Sequence, residues 1–117
     1  MTEVVLDTNA LIMPFQFNIN LDEEIERLVP NPDIYVPSSV TGELKKLKRK
    51  DALSLASKYN EVKVRKKGDR GVIEAVEKLD AVLVTNDKEL KKKIRKKGYK
   101  VLFLRSKSYL ELLGEPF

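Results

Sequence analysis

Four acidic residues, Asp7, Glu43, Asp69 and Asp87, stand out in this chain of 117 residues because of where they fall relative to its apolar runs. Asp7 directly follows Val4-Val5-Leu6, and Asp87 closes Val82-Leu83-Val84-Thr85-Asn86-Asp87, so each is delivered by the C-terminal end of a buried strand. Glu43 lies between Val40 and Leu47 at helical spacing, on or beside an apolar stripe where a solvated charge would not be placed. Asp69 stands just before Val72 and Ile73, at a helix start. Asp22, Glu24, Glu26, Asp51, Glu74, Glu77 and Glu111 fall instead on expected exposed faces or turns.

Carboxylates that share a cleft repel one another, and desolvation pushes protons onto them unless a cation is present. A divalent metal resolves that conflict. The chain has no His and no Cys, so a site here offers oxygen ligands only, which suits one or two Mg²⁺ or Mn²⁺ ions. Such ions activate water and neutralise phosphate oxygens, and phosphodiester hydrolysis is the reaction that needs no imidazole. Asn9, Thr85 and Asn86 stand where they can orient ligands or water. Each candidate also has a structural explanation: Asp69 and Asp87 as helix caps, Asp7 and Glu43 as partners of a lysine, the amides and Thr85 as turn residues.

The elements that must position these acids are read from the apolar runs Val4 to Leu6, Ile34 to Val36, Ala81 to Val84 and Val101 to Leu104. They alternate with stretches of helical spacing, the pattern of an α/β domain with a parallel sheet covered on both faces. Glu61 to Arg65 alternates strictly and is expected as an edge strand. Asn20 caps a helix carrying Ile25, Leu28 and Val29, with Glu23 completing a capping box, and Pro30 and Pro32 close it. Ser38 or Ser39 caps a helix with Val40, Leu44 and Leu47 on one stripe. Ala52 to Tyr59 reads as helical, Asp69 caps a helix through Leu79, and Asn86 or Asp87 caps one with Leu90 and Ile94 that Gly98 stops. A last helix is expected at Lys107 to Leu113, and Met13 to Ile19 reads as an apolar loop packed on the core. Right-handed crossovers then give a sheet order of 3-2-1-4-5, which sets Asp7 beside Asp87 at the crevice where the order reverses.

One domain covers residues 1–117. Lys and Arg outnumber Asp and Glu by 23 to 18, for a net charge of +5, which favours a polyanion such as nucleic acid. The basic candidates are Lys45, Lys46, Lys48, Arg49, Lys66, Lys67, Lys91, Lys92 and Arg95; a solvated, lysine-rich surface explains the same charges. Four Tyr and four Phe leave little for base stacking, so shape or single-stranded loops are read rather than a base code. No apolar run reaches the roughly 20 residues of a membrane span. The start lacks signal-peptide character, and a cytoplasmic protein is expected.

Val5-Leu6-Asp7-Thr8-Asn9-Ala10-Leu11, Ser38-Ser39-Val40-Thr41-Gly42-Glu43-Leu44, Asp69 with the helix after it, and Leu83-Val84-Thr85-Asn86-Asp87-Lys88-Glu89-Leu90 together resemble the motifs of PIN-domain nucleases, in the right order along the whole chain. The resemblance implies a three-layer α/β/α sandwich on a five-stranded parallel sheet. It implies a metal-dependent endoribonuclease with Asp7, Glu43, Asp69 and Asp87 as its acidic set. The basic tail from Leu90 to Arg105 is more similar to small PIN proteins of ribosomal RNA maturation; VapC-type toxins are the other large group. Where members near the maturation branch often carry paired acids, this chain has Gly68-Asp69. A homodimer, an antitoxin or a ribosome-assembly factor are the partners these roles imply. The competing class is a non-catalytic RNA-binding assembly factor with the same fold; an aspartyl-phosphate phosphatase is disfavoured because Asn9 stands where a second Asp would be needed.

Overall fold

The computed structural model describes all 117 residues. Its centre is β1 (Thr2–Leu6), whose Val4, Val5 and Leu6 are wholly enclosed. An unbroken apolar run of this kind has no wet face, and it lies inside the sheet with a parallel neighbour on each side. β2 (Pro32–Pro37) pairs on one side, Val5 opposite Tyr35, and β4 (Val82–Val84) on the other, Leu6 opposite Val84. β3 (Asn60–Val62) lies parallel to β2 at the edge, and β5 (Val101–Arg105) parallel to β4. The observed order β3-β2-β1-β4-β5 is the expected one, with β6 (Tyr109–Leu113) added antiparallel to β5.

Residues 107–113 are therefore not the expected helix. Leu110 and Leu113 have helical spacing, yet Ser106 and Lys107 both adopt left-handed φ, 52° and 56°, and the Ser108 amide bonds back to the Arg105 carbonyl. Two such residues in succession build the tight hairpin turn that folds β6 onto β5. Arg27 donates to the Leu110 carbonyl at 2.6 Å, and the Leu110 amide donates to Glu24 at 2.7 Å, which locks the new strand's other edge.

The helices are α1 (Thr8–Phe17), α2 (Leu21–Leu28), α3 (Ser38–Lys46), α4 (Lys50–Ala56), α5 (Gly68–Leu79) and α6 (Lys88–Lys96), and they complete the α/β/α sandwich. Asn20 and Asp87 cap α2 and α6 as expected. Three local expectations fail. Met13 to Phe17 continue α1 through Pro14 rather than forming a loop, with Met13 in the core and Phe15 half exposed. Pro37, not a serine, precedes α3, and the Ser38 hydroxyl instead accepts from the Val64 amide at 3.0 Å. Leu47 lies beyond the end of α3 and is 52% exposed, so the stripe stops at Leu44. No helix is long and apolar enough to cross a membrane.

Candidate active site

Because β1 and β4 are adjacent, their C-terminal ends open into one crevice, and the chain turns there into α1 and toward α6. Asp7 is the first residue past β1. Its Oδ1 accepts from the Ala10 amide at 2.8 Å and so caps α1, while its Oδ2 accepts from the Thr85 hydroxyl past β4. The Thr85 oxygen in turn accepts from the Asp87 amide at 3.0 Å. Thr85, wholly buried, thus ties the two strand-end acids together.

A hollow of about 130 Å³ is lined by Asp7, Glu43, Asp69 and Asp87 with Thr8 and Asn9. All four singled-out acids and one of the amides share it. Glu43 reaches it from α3, but from an exposed face; it does not lie in the buried stripe, and the Thr8 hydroxyl donates to it at 2.8 Å. Asp69 sits in the first turn of α5 rather than at its cap, which is Lys67 without a side-chain hydrogen bond.

Electrostatics bind the four into one group. Burial pushes Asp7 up to about 7, the hydrogen bonds from Thr85 and Ala10 oppose that, and the charges of Asp87 and Asp69 add to it. Asp69 is raised too, first by burial and then by Asp87 and Glu43, while Lys93 pulls it back. None of the molecule's ion pairs involves these four acids, and Lys93 offsets their mutual repulsion only at Asp69. Oxygen donors crowded in this way fit a hard divalent cation. As they stand, with Asp7 turned to Thr85 and Glu43 to Thr8, no three of the carboxylates converge closely enough to grasp one ion.

The remaining candidates divide. Asn86 turns away from the hollow, its Oδ1 accepting from the Leu104 amide at 2.7 Å, and so fastens β5 to the β4 exit. Arg49 is held by both oxygens of Asp51, Lys91 lies over the Phe103 ring, and Arg95 donates to the Tyr99 carbonyl. Lys46, Lys66 and Lys67 instead line a second hollow that abuts the acidic one, and Lys45, Lys48 and Lys92 are exposed elsewhere. Sequence reading missed three contributors. Thr8 lies within a motif, Lys93 within a basic run, and Glu74 on an expected exposed face, where nothing in the sequence marks them out. The Glu74 carboxylate accepts from the Arg65 and Lys66 amides at 3.0–3.1 Å and is held low by those bonds.

Residues 4–107 match the family described as PIN like domain. The chain is 34% identical to Ribonuclease VapC4 of Methanocaldococcus jannaschii, over 97% of this chain and 98% of that protein. It is 31% identical to Ribonuclease VapC9 of Archaeoglobus fulgidus, over 93% and 89%. Its fold is similar to that of the PIN domain endonuclease Utp24, with a TM-score of 0.81 and 26% identity over 98% of this chain and 95% of that one.

Proposed function

The chain belongs to the PIN-domain nuclease family, and from that premise we propose that it is a divalent-metal-dependent endoribonuclease whose ion or ions are held by Asp7, Glu43, Asp69 and Asp87. The observation that carries the reading is that four carboxylates, none of them in an ion pair, line one hollow at the β1 and β4 exits. RNA is taken as the substrate because both curated relatives are ribonucleases.

When bound, Mg²⁺ or Mn²⁺ supplies the positive centre that polarises water and a phosphate oxygen. The protein's own part is positional. Thr85 holds the Asp7 carboxylate against rotation, the Asp87 amide holds Thr85, and the Glu89 and Leu90 amides hold one oxygen of the Asp87 carboxylate, so both strand-end acids are kept in place. Thr8 does the same for Glu43 across the hollow. Asn9, exposed at the rim, is placed to orient water or a phosphate oxygen. Lys93, near enough to lower Asp69, offsets negative charge as a phosphate approaches.

The test is cleavage of labelled RNA by the purified protein. Products are expected with Mn²⁺ or Mg²⁺ and none with EDTA. Asp7→Asn keeps the acceptor for Ala10 and the fold while lowering the rate at least about a hundredfold. Cleavage that persists in EDTA, or in Asp7→Asn, overturns the reading. Near full-length likeness to two VapC ribonucleases favours a VapC-type toxin over a ribosomal RNA processing role. A toxin arrests growth when expressed, and co-expression of an adjacent small antitoxin frame relieves the arrest; growth unaffected by expression argues for the processing role.

A further inference from the structure

Beside the acidic hollow lies a larger one of about 490 Å³, and Glu43 and Gly68 form the wall the two share. One side is α3, with Ser39 and Lys46; the other is the loop between β3 and α5, with Arg65, Lys66 and Lys67. Val64 is its single apolar lining residue, so it is not built for an apolar ligand. Lys46, Arg65, Lys66 and Lys67 are all exposed, and none of them forms an ion pair.

The loop that carries three of these cations is held firmly. Ser38 accepts from the Val64 amide at one end, and Glu74 takes the Arg65 and Lys66 amides from beneath. The Val64, Arg65 and Lys66 amides are thus occupied, and what these residues offer outward is their side chains. Four exposed cations outside any ion pair, carried by α3 and a restrained loop beside an acidic cleft, describe a place for an anion that continues into that cleft.

We infer that this groove is the track for the RNA backbone: a phosphate neighbouring the scissile one sits between Lys46 and the Arg65–Lys67 loop, and the strand is thereby fed into the acidic hollow. The inference rests on the endoribonuclease reading. No aromatic side chain lines the groove, so it holds phosphates without stacking bases and is indifferent to sequence. A hollow of about 130 Å³ admits one phosphodiester at a turn of the strand, which favours a pliable single strand over a stiff duplex.

Binding of a short fluorescein-labelled single-stranded RNA, followed by anisotropy in EDTA, tests this apart from cleavage. The triple variant Lys46→Gln, Lys66→Gln, Lys67→Gln is compared with Lys96→Gln, Lys97→Gln, Lys100→Gln, which removes the same charge beside the start of β5, on the far side of β1 from the groove. The groove triple is expected to bind about tenfold more weakly and to lose about 2 from the slope of log affinity against log salt; the remote triple changes affinity less than about twofold. Equal losses in both triples, no loss in the groove triple, or wild-type protein that does not bind the RNA at low salt overturns the inference. Wild-type protein that binds through the groove and cleaves in no metal instead overturns the nuclease reading and leaves the groove standing.

Discussion

Asp7 does two jobs that compete. Its carboxylate caps α1 and accepts from Thr85, roles that favour the charged form, while burial against β1 and β4 favours the neutral one. Burial prevails, and the native carboxyl titrates at about 7 against an ordinary 3.8. Between those values the unfolded chain carries the charge and the folded chain holds the proton, so folding takes up a proton and stability falls as pH rises. The full effect is on the order of 4 kcal/mol and is complete once pH exceeds the native value. In EDTA, the urea midpoint of the wild type is therefore expected to drop, relative to Asp7→Asn, from about pH 5 to about pH 7.5. Parallel curves for the two proteins across that range would show that Asp7 is charged when folded. The sequence revealed this residue readily, since an acid immediately after Val-Val-Leu has few other reasons to be there. It could not reveal that Glu43 is exposed: spacing along α3 places the residue near the stripe, but which neighbours cover it depends on α1 and α5, far away in the chain.

At the scale of elements, α5 shows how a site is held by positions that do no chemistry. Gly71 lies on its buried face, and a Cβ there would press on the Lys66 carbonyl and come within 2.9 Å of the Ser39 Cβ. Ordinarily Gly→Ala inside a helix gains up to about 1 kcal/mol. Here the obstacle is backbone that the Glu74 bonds hold in place, and overpacking at about 1–3 kcal/mol outweighs the gain. Gly42 is helical too, in α3, with nothing within 4 Å of its added methyl. Thermal melts should move in opposite directions, down for Gly71→Ala and up for Gly42→Ala; a stabilised Gly71→Ala would mean that the loop yields freely. Neither glycine's role is visible in sequence, because both sit in helical pattern. The same blindness explains β6. Its turn uses Ser106 and Lys107 in left-handed conformation without the Asn or Gly that would announce a hairpin, and its strand is fixed by β5, Arg27 and Glu24 rather than by its own spacing. By contrast β1, β2, β4 and β5 were legible because continuous burial leaves only apolar residues, and two-residue apolar pairs at helical spacing marked the faces of α2, α5 and α6.

For the whole molecule, the +5 net charge and the acidic hollow are two parts of one arrangement: cations gather on the groove beside the hollow, while the hollow itself is a concentrated negative site. A protein built this way is under strain at neutral pH when no cation is present, and divalent ions should relieve it throughout the fold rather than only in the cleft. An ion at a hundred times its dissociation constant adds about 2.7 kcal/mol to stability, which for a domain of this size raises the melting temperature by about 10 °C. Because its ligands must lose their protons first, the shift is expected to shrink as pH falls below about 7, the reverse of the Asp7 effect in EDTA. Asp7→Asn should lose most of the shift at every pH. Melts with Mg²⁺ and Mn²⁺ across this range measure the linkage without any RNA present. A melting temperature indifferent to both ions would mean that Thr85 and Thr8 keep their carboxylates from any cation, and that the hollow is stabilised by protons alone.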